Sequence, residues 1–242
     1  MSPMAKILHV MGTDAPRERI DQTQASLAGL ASPGTEVEVL TMPGGPPDLE
    51  YYLQDHQSIS LMLERVPARV RAGDFDAVVV SCFYDPGVRE LREILDIPVV
   101  GAGEASMHVA SLLGHRFSII VGRRKHIPKM SDNALIYGFD RRIASWRAID
   151  FTVERLKTDR VGAFEAMVRE GEAAVREDRA EVVVLGCTAI EDAAPRLSER
   201  IGAPVVHPVA AGFKLAEMLG DLRARMGLSL SKICDYEPLG SR

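Results

Sequence analysis

The architecture of this chain can be inferred first from Ala77-Val78-Val79-Val80-Ser81-Cys82-Phe83-Tyr84-Asp85-Pro86-Gly87. A short apolar run rich in β-branched residues is typical of a buried parallel strand. The pair Asp85-Pro86 is typical of a helix N-cap followed by proline at the first helical position. The arrangement returns in Val182-Val183-Val184-Leu185-Gly186-Cys187-Thr188-Ala189-Ile190-Glu191. Each segment therefore predicts a cysteine at the carboxyl end of a parallel strand, just before a helix.

A second pair of segments indicates that the chain is internally duplicated. Pro98-Val99-Val100 and Pro204-Val205-Val206 follow the two cysteines at nearly equal distances. Each leads through an alanine-rich helical stretch to a Leu-Gly pair, at Leu113-Gly114 and Leu219-Gly220, with the same spacing. The distance along the chain between the two copies is too long for a solenoid repeat. It fits two similar α/β lobes instead.

Strands and helices alternate along both halves, which predicts an α/β fold with two parallel sheets flanked by helices. Residues 1–104, together with a returning segment 211–242, are predicted to build the first lobe. Residues 105–210 are predicted to build the second lobe. We expect the active site in the cleft between them.

Length, composition and charge exclude several classes of protein. The 242 residues are 46% hydrophobic and 26% charged, as in a soluble globular protein, and the net charge of −5 gives no reason to expect nucleic acid. No apolar run reaches the roughly 20 residues of a membrane helix, and the N-terminus lacks a signal-peptide pattern. The histidines show no metal-ligand spacing. We expect a cytoplasmic protein that binds a small molecule and no metal.

Cys82 and Cys187 are predicted to act together as acid and base. Ligands of open α/β sheets bind beyond the carboxyl ends of the strands, and a nearby helix N-terminus lowers the pKa of a thiol. A thiolate and a thiol on opposite sides of one carbon would remove a proton from one face and return one to the other, without a metal or organic cofactor. Two alternatives are buried structural cysteines and a redox pair that meets across the lobes. Cys234 has no counterpart in the repeat and is treated as incidental.

The residues around the two cysteines predict a site for developing negative charge. Backbone N–H groups near Phe83 and Tyr84, and near Thr188, would lie in the first turns of the following helices. The hydroxyl groups of Ser81 and Thr188 would add further hydrogen bonds.

Two more residues at strand ends are candidates for contact with the substrate. Arg123 follows a predicted strand and could hold a carboxylate, whereas a solvated charge run is the simpler interpretation of Arg123-Arg124-Lys125. His207 follows the strand that contains Val205 and Val206. It would either line the cleft or pack at a helix start.

The chain resembles the aspartate/glutamate/hydantoin racemase superfamily, and most of all its hydantoin and allantoin racemase branch. The resemblance lies in Cys82-Phe83-Tyr84-Asp85-Pro86-Gly87, Pro98-Val99-Val100-Gly101 with Glu104-Ala105, Leu113-Gly114-His115-Arg116-Phe117-Ser118, and Leu185-Gly186-Cys187. It implies two lobes related by a pseudo-twofold axis and cofactor-independent proton transfer by Cys82 and Cys187. It also implies a hydantoin-like or amino-acid-like substrate and assembly into a homo-oligomer.

The chain departs from this branch at two strand ends. Met11-Gly12-Thr13 stands where the branch has Asn-Pro-Asn, and Val121-Gly122 stands where it has a threonine pair. The resemblance places these residues and Gly186 at the substrate, while the departures leave the substrate itself open. Ala189 stands where glutamate racemases have histidine. The alternatives are a maleate-type cis–trans isomerase or a decarboxylase of the same superfamily, and a non-catalytic protein that binds a small ligand.

Overall fold

Two four-stranded parallel sheets form the framework of the protein. A computed structural model describes residues 5–189, 193–234 and 236–237. The elements in chain order are β1 (Lys6–Val10), α1 (Arg17–Leu30), β2 (Glu36–Leu40), α2 (Tyr52–Arg71), β3 (Ala77–Val80), α3 (Val88–Ile94), β4 (Val99–Gly101), α4 (Ala102–Leu113), β5 (Phe117–Val121), α5 (Ile127–Ile136), β6 (Ile143–Ala148), α6 (Val153–Thr158), α7 (Arg160–Arg176), β7 (Val182–Leu185), α8 (Ala193–Ile201), β8 (Val205–Val206) and α9 (Pro208–Met226). Short 3-10 turns at Arg124–His126 and Asp140–Arg142 precede α5 and β6.

The two sheets have the same strand order. The first sheet is ordered β2-β1-β3-β4 and the second β6-β5-β7-β8, and every pair of neighbouring strands in the described residues is parallel. The second half of the chain thus repeats the first strand for strand, as the duplicated sequence indicates. The predicted α/β class, with parallel sheets and alternating helices, is confirmed.

The chain divides into two compact units, each with its own sheet and core. Unit 1 holds the described residues of Met1–Ser81, Asp85–Gly101 and Gly212–Arg242, and unit 2 holds those of Cys82–Tyr84 and Ala102–Ala211. The central strands β3 and β7 are buried along their whole length, as expected for valine-rich parallel strands with helices on both faces.

The helix after Cys82 begins later than the sequence predicts. The expectation that Asp85-Pro86 forms the N-cap and first residue of that helix is wrong, because α3 starts at Val88 with Gly87 as its N-cap. Phe83-Tyr84 therefore lies in a turn and not in the first turn of a helix. The cause is tertiary: the buried carboxylate of Asp85 lies against Gly101, and the backbone of Asp85 is in the left-handed region, with φ of 50°.

Two helices also have features that the sequence does not predict. Proline is a possible break in a helix interior, yet α2 continues through Pro67. The short helix α6 was not predicted, and its first turn is capped by the Thr152 hydroxyl, which accepts a hydrogen bond from the N–H of Arg155. Within the described residues, none of the helices combines the length and the apolar character needed to cross a bilayer.

Part of the segment after α9 packs against unit 1. Leu230 packs against the core of unit 1, and the Lys232 ammonium donates hydrogen bonds to the carbonyl oxygens of Arg92 and Glu93. These carbonyl groups belong to the last turn of α3, where a cation is favourable. Leu230 and Lys232 are therefore held against unit 1, while Pro238 and Gly240 lie outside the described residues.

Candidate active site

Both predicted catalytic cysteines occupy the same place in their sheets. The strand β3 ends at Val80 and β7 ends at Leu185, and a cysteine follows two residues beyond each end. Both cysteines are half-buried and neither forms a disulfide bond with a described residue, whereas Cys234 is exposed. Cys82 and Cys187 therefore stand at equivalent positions beyond the carboxyl ends of parallel strands, where ligands of such sheets bind.

The candidates in unit 1 gather at the carboxyl edge of its sheet. Met11-Gly12-Thr13 follows β1, and the N–H of Ser81 donates a hydrogen bond of 2.8 Å to the carbonyl oxygen of Val10. The buried hydroxyl of Ser58, on α2, donates to the carbonyl oxygen of Gly12 at 2.6 Å. A Cβ at Gly12 would lie only 2.7 Å from that hydroxyl oxygen. The sequence analysis missed Ser58, which shapes this turn and explains the glycine.

In unit 2, the ends of β5 and β7 bring Val121-Gly122 close to Gly186. The N–H of Gly186 donates a hydrogen bond of 2.7 Å to the carbonyl oxygen of Ile120. A Cβ at Gly186 would lie 2.9 Å from that oxygen, and one at Gly122 would lie 2.8 Å from the carbonyl oxygen of Phe151. Both glycines thus keep the backbone at this sheet edge tightly packed.

Cys187 receives a hydrogen bond from its own turn. The N–H of Ala189 donates to the sulfur of Cys187 at 3.5 Å, and Thr188 lies half-buried between them. A donor to sulfur favours the thiolate. Glu191, which follows Thr188 at the spacing of a capping box, lies outside the described residues. His207 is half-buried and follows β8, the neighbour of β7, so it lies at the same sheet edge.

The turn Cys82–Tyr84 belongs to unit 2 and rests on α5. The side-chain amide of Asn133 donates a hydrogen bond of 2.8 Å to the carbonyl oxygen of Tyr84. The Lys129 ammonium lies 4.6 Å from the centroid of the Tyr84 ring, and the ring of His126 lies perpendicular to the Tyr84 ring at 5.9 Å between centroids. The sequence analysis missed these three residues, because nothing local links them to Tyr84.

Arg123 lies just before the 3-10 turn and is half-buried. Its N–H donates to Nδ1 of His126 at 3.4 Å. Burial, and then the positive charges of Lys125 and Arg123, lower the pKa of His126 to about 4. His126 is therefore neutral at neutral pH beside a cluster of cations. Among the described residues, no group of His, Cys, Asp and Glu side chains is arranged to hold a metal ion.

Comparison with known sequences identifies relatives over most of the chain. Residues 8–216 match the family described as Asp/Glu/Hydantoin racemase. A hydantoin racemase of Pseudomonas sp. (strain NS671) is 33% identical over 203 residues, which cover 84% of this chain and 80% of that protein.

Two solved structures share both the fold and much of the sequence. The allantoin racemase of Pseudomonas fluorescens is 34% identical with a TM-score of 0.87, and the match covers 98% of both chains. The allantoin racemase of Klebsiella pneumoniae is 29% identical with a TM-score of 0.88, and the match covers 98% of this chain and 95% of that one.

Proposed function

The chain belongs to the Asp/Glu/hydantoin racemase family, and from this premise we propose that it is a cofactor-independent racemase in which Cys82 and Cys187 exchange protons at one substrate carbon. Racemases are isomerases, and the relatives described above carry that activity in their names. The observation that carries the proposal is the equivalence of the two cysteines. Each is a half-buried cysteine two residues beyond the corresponding strand of a duplicated sheet.

In the proposed reaction, one sulfur begins as a thiolate and the other as a thiol. The thiolate takes the hydrogen of the carbon as a proton, and the electron pair of the C–H bond moves onto the adjacent carbonyl group to form an enolate. The opposite thiol then donates its proton to the same carbon from the other face. The configuration inverts, the two sulfurs exchange protonation states, and no oxidant or reductant is needed.

The hydrogen bond from Ala189 to Cys187 supports this role for one of the two thiols. An N–H directed at sulfur stabilises the anion and lowers the pKa of the thiol. Backbone donors near the site would similarly stabilise the enolate oxygen as its charge develops. Ser81 and Thr188, which follow the corresponding strands, are the proposed hydroxyl donors.

A hydantoin-like molecule is the proposed substrate. The ring carbon that carries the side chain of a hydantoin bears a hydrogen between a carbonyl carbon and a nitrogen, so its carbanion is stabilised as an enolate. The names of the hydantoin and allantoin racemases among the relatives support this class. The residues proposed to line the substrate site are Met11-Gly12-Thr13, Val121-Gly122, Arg123, Phe83, Tyr84, Gly186 and His207.

The proposal is tested by polarimetry on single enantiomers of substituted hydantoins, allantoin and amino acids. We expect the parent protein to abolish the optical rotation of a hydantoin or of allantoin. Cys82→Ala and Cys187→Ala should each abolish this activity, while Cys234→Ala should retain it. A parent protein that binds hydantoins without changing their rotation would instead identify a non-catalytic binding protein.

A further inference from the structure

We propose that His126, Lys129 and Asn133 form a positioning seat that fixes the Cys82 thiol through Tyr84. The catalytic consequence rests on the proposed function, whereas the contacts of the seat are independent of it. Tyr84 lies two residues beyond Cys82, so its location determines where the turn can carry the thiol.

The turn that carries Cys82 does not belong to the same compact unit as the residues that flank it. Ser81 and Asp85, on either side of it, belong to unit 1, whereas Cys82–Tyr84 belongs to unit 2. Tyr84 is only 8% exposed. The contacts of Tyr84 with Asn133, Lys129 and His126 thus lie within the unit that also contains Cys187.

The seat holds both the backbone and the ring of Tyr84. Asn133 binds the carbonyl oxygen, which fixes the peptide that follows Tyr84. Lys129 lies over the face of the ring, and the imidazole of His126 packs perpendicular to it. His126, Lys129 and Asn133 are separated by three and four positions. They therefore lie on one side of the continuous segment formed by the 3-10 turn and α5. Together they restrain translation and rotation of the turn.

The seat is itself anchored at the edge of the second sheet. A Cβ at Gly122 would lie 3.7 Å from the imidazole of His126, so the end of β5 and the seat are in contact. The strand β5 pairs with β7, which leads to Cys187. The seat and the Cys187 turn therefore both adjoin the carboxyl end of β5, His126 beside Gly122 and Gly186 beside Ile120.

If the seat positions Cys82, its loss should impair proton transfer by Cys82 and not by Cys187. A misplacement of about 1 Å in a reacting group costs on the order of 100-fold in rate. Loss of the Asn133 amide should displace Cys82 and leave Cys187 in place. A residue with a merely structural role would weaken both thiols equally through loss of folded protein.

The test places Asn133→Ala in the full-length chain with either Cys187→Ala or Cys82→Ala. Each background retains one thiol, which exchanges the hydrogen of one hydantoin enantiomer for deuterium in D₂O. We expect Asn133→Ala to slow exchange about tenfold or more where Cys82 remains, and by less than twofold where Cys187 remains. Lys129→Met should act in the same direction. Alanine favours helix more than asparagine does, so folding of α5 is not at risk.

Asp132→Ala is the matched control, because Asp132 is the exposed neighbour of Asn133 on the same helix. It should leave both exchange rates unchanged. Equal effects of Asn133→Ala in the two backgrounds, or no effect in either, would overturn the proposal that the seat positions Cys82.

A substrate-independent measurement separates failure of the seat from failure of the proposed function. Iodoacetamide alkylation, followed residue by residue by mass spectrometry, should change at Cys82 and not at Cys187 in Asn133→Ala. If the parent protein exchanges hydrogen with none of the hydantoins, allantoin and amino acids, the racemase proposal fails and alkylation alone tests the seat. An unchanged rate at Cys82 would then overturn it.

Discussion

The carboxylate of Asp85 occupies the space in which any residue other than glycine at position 101 would place its side chain. A Cβ at Gly101 would lie 2.4 Å from Cγ of Asp85 and 2.5 Å from one of its carboxylate oxygens. Asp85 is buried and has a left-handed backbone, which costs free energy unless the surroundings fix it. The position of the Asp85 carboxylate therefore requires glycine at position 101, and the turn that follows Cys82 depends on both residues.

Substitution of Gly101 should destabilise the protein through this contact. We expect Gly101→Ala to lower the free energy of unfolding by about 1–3 kcal/mol, as overpacking does. The cost should fall sharply when Asp85→Gly is present, because the obstructing carboxylate is then absent. Urea unfolding of the two single variants and the double variant gives the coupling free energy between them.

Gly29→Ala provides the control for this cycle. Gly29 lies within α1, and a Cβ there would meet no atom within 4 Å. Its replacement should stabilise the protein by up to about 1 kcal/mol, since alanine favours helix more than glycine. An equal cost of Gly101→Ala with and without the Asp85 side chain would refute the proposed dependence.

His9 should make the protein sensitive to acid. It lies in β1 and is 1% exposed, and within the described part of the chain neither ring nitrogen has a hydrogen-bond partner. Burial lowers the pKa of His9 from 6.5 to about 4. Between these values the unfolded chain binds a proton that the folded chain does not. The free energy of unfolding therefore falls as pH decreases through this range, by up to about 3 kcal/mol from this residue.

His9→Leu should remove that contribution. Urea unfolding at pH 7 and pH 4.5 should show a smaller loss of stability in this variant than in the parent. Part of the loss should remain, because the pKa of His126 is lowered in the same direction. His56→Gln, on the exposed surface of α2, should behave as the parent does. A parent-like acid dependence in His9→Leu would show that His9 does not cause it.

The hydrogen bond to Cys187 should be visible in the pH dependence of its alkylation. Ala189→Pro removes the N–H that donates to sulfur, so the pKa of the Cys187 thiol should rise and alkylation at pH 7 should slow. Ala189→Gly keeps the donor and should leave the profile unchanged. The exposed Cys234 serves as an internal reference in every sample. The same midpoint for Cys187 in the proline and glycine variants would rule out this donor.

The sequence predicted those features that depend on local pattern. The valine-rich segments that became β3 and β7 could be recognised because strands buried on both faces need continuous apolar runs. The repeated order of strand, cysteine and helix likewise predicted two similar parallel sheets. Cys82 and Cys187 could be placed because the strand ends fix them.

Features that depend on distant contacts could not be predicted. Asp85-Pro86 has the pattern of a helix start, yet the carboxylate is held against Gly101 and the helix begins later. Asn133 and Ser58 act on Tyr84 and Gly12 from remote positions in the chain, and no local pattern indicates such pairs. The sequence also provides no signal for the assignment of the Cys82 turn to unit 2.

The central claim is that each thiol serves one face of the substrate, and solvent deuterium exchange by the single variants tests it most directly. Cys82→Ala and Cys187→Ala should each lose racemisation, because inversion requires removal on one face and delivery on the other. The remaining thiol can still remove a proton and return a deuteron to the same face. Each variant should therefore exchange the hydrogen of one enantiomer only, and the two variants should select opposite enantiomers. A Cys82→Ala protein that racemises a confirmed substrate at the parent rate would contradict the two-thiol mechanism.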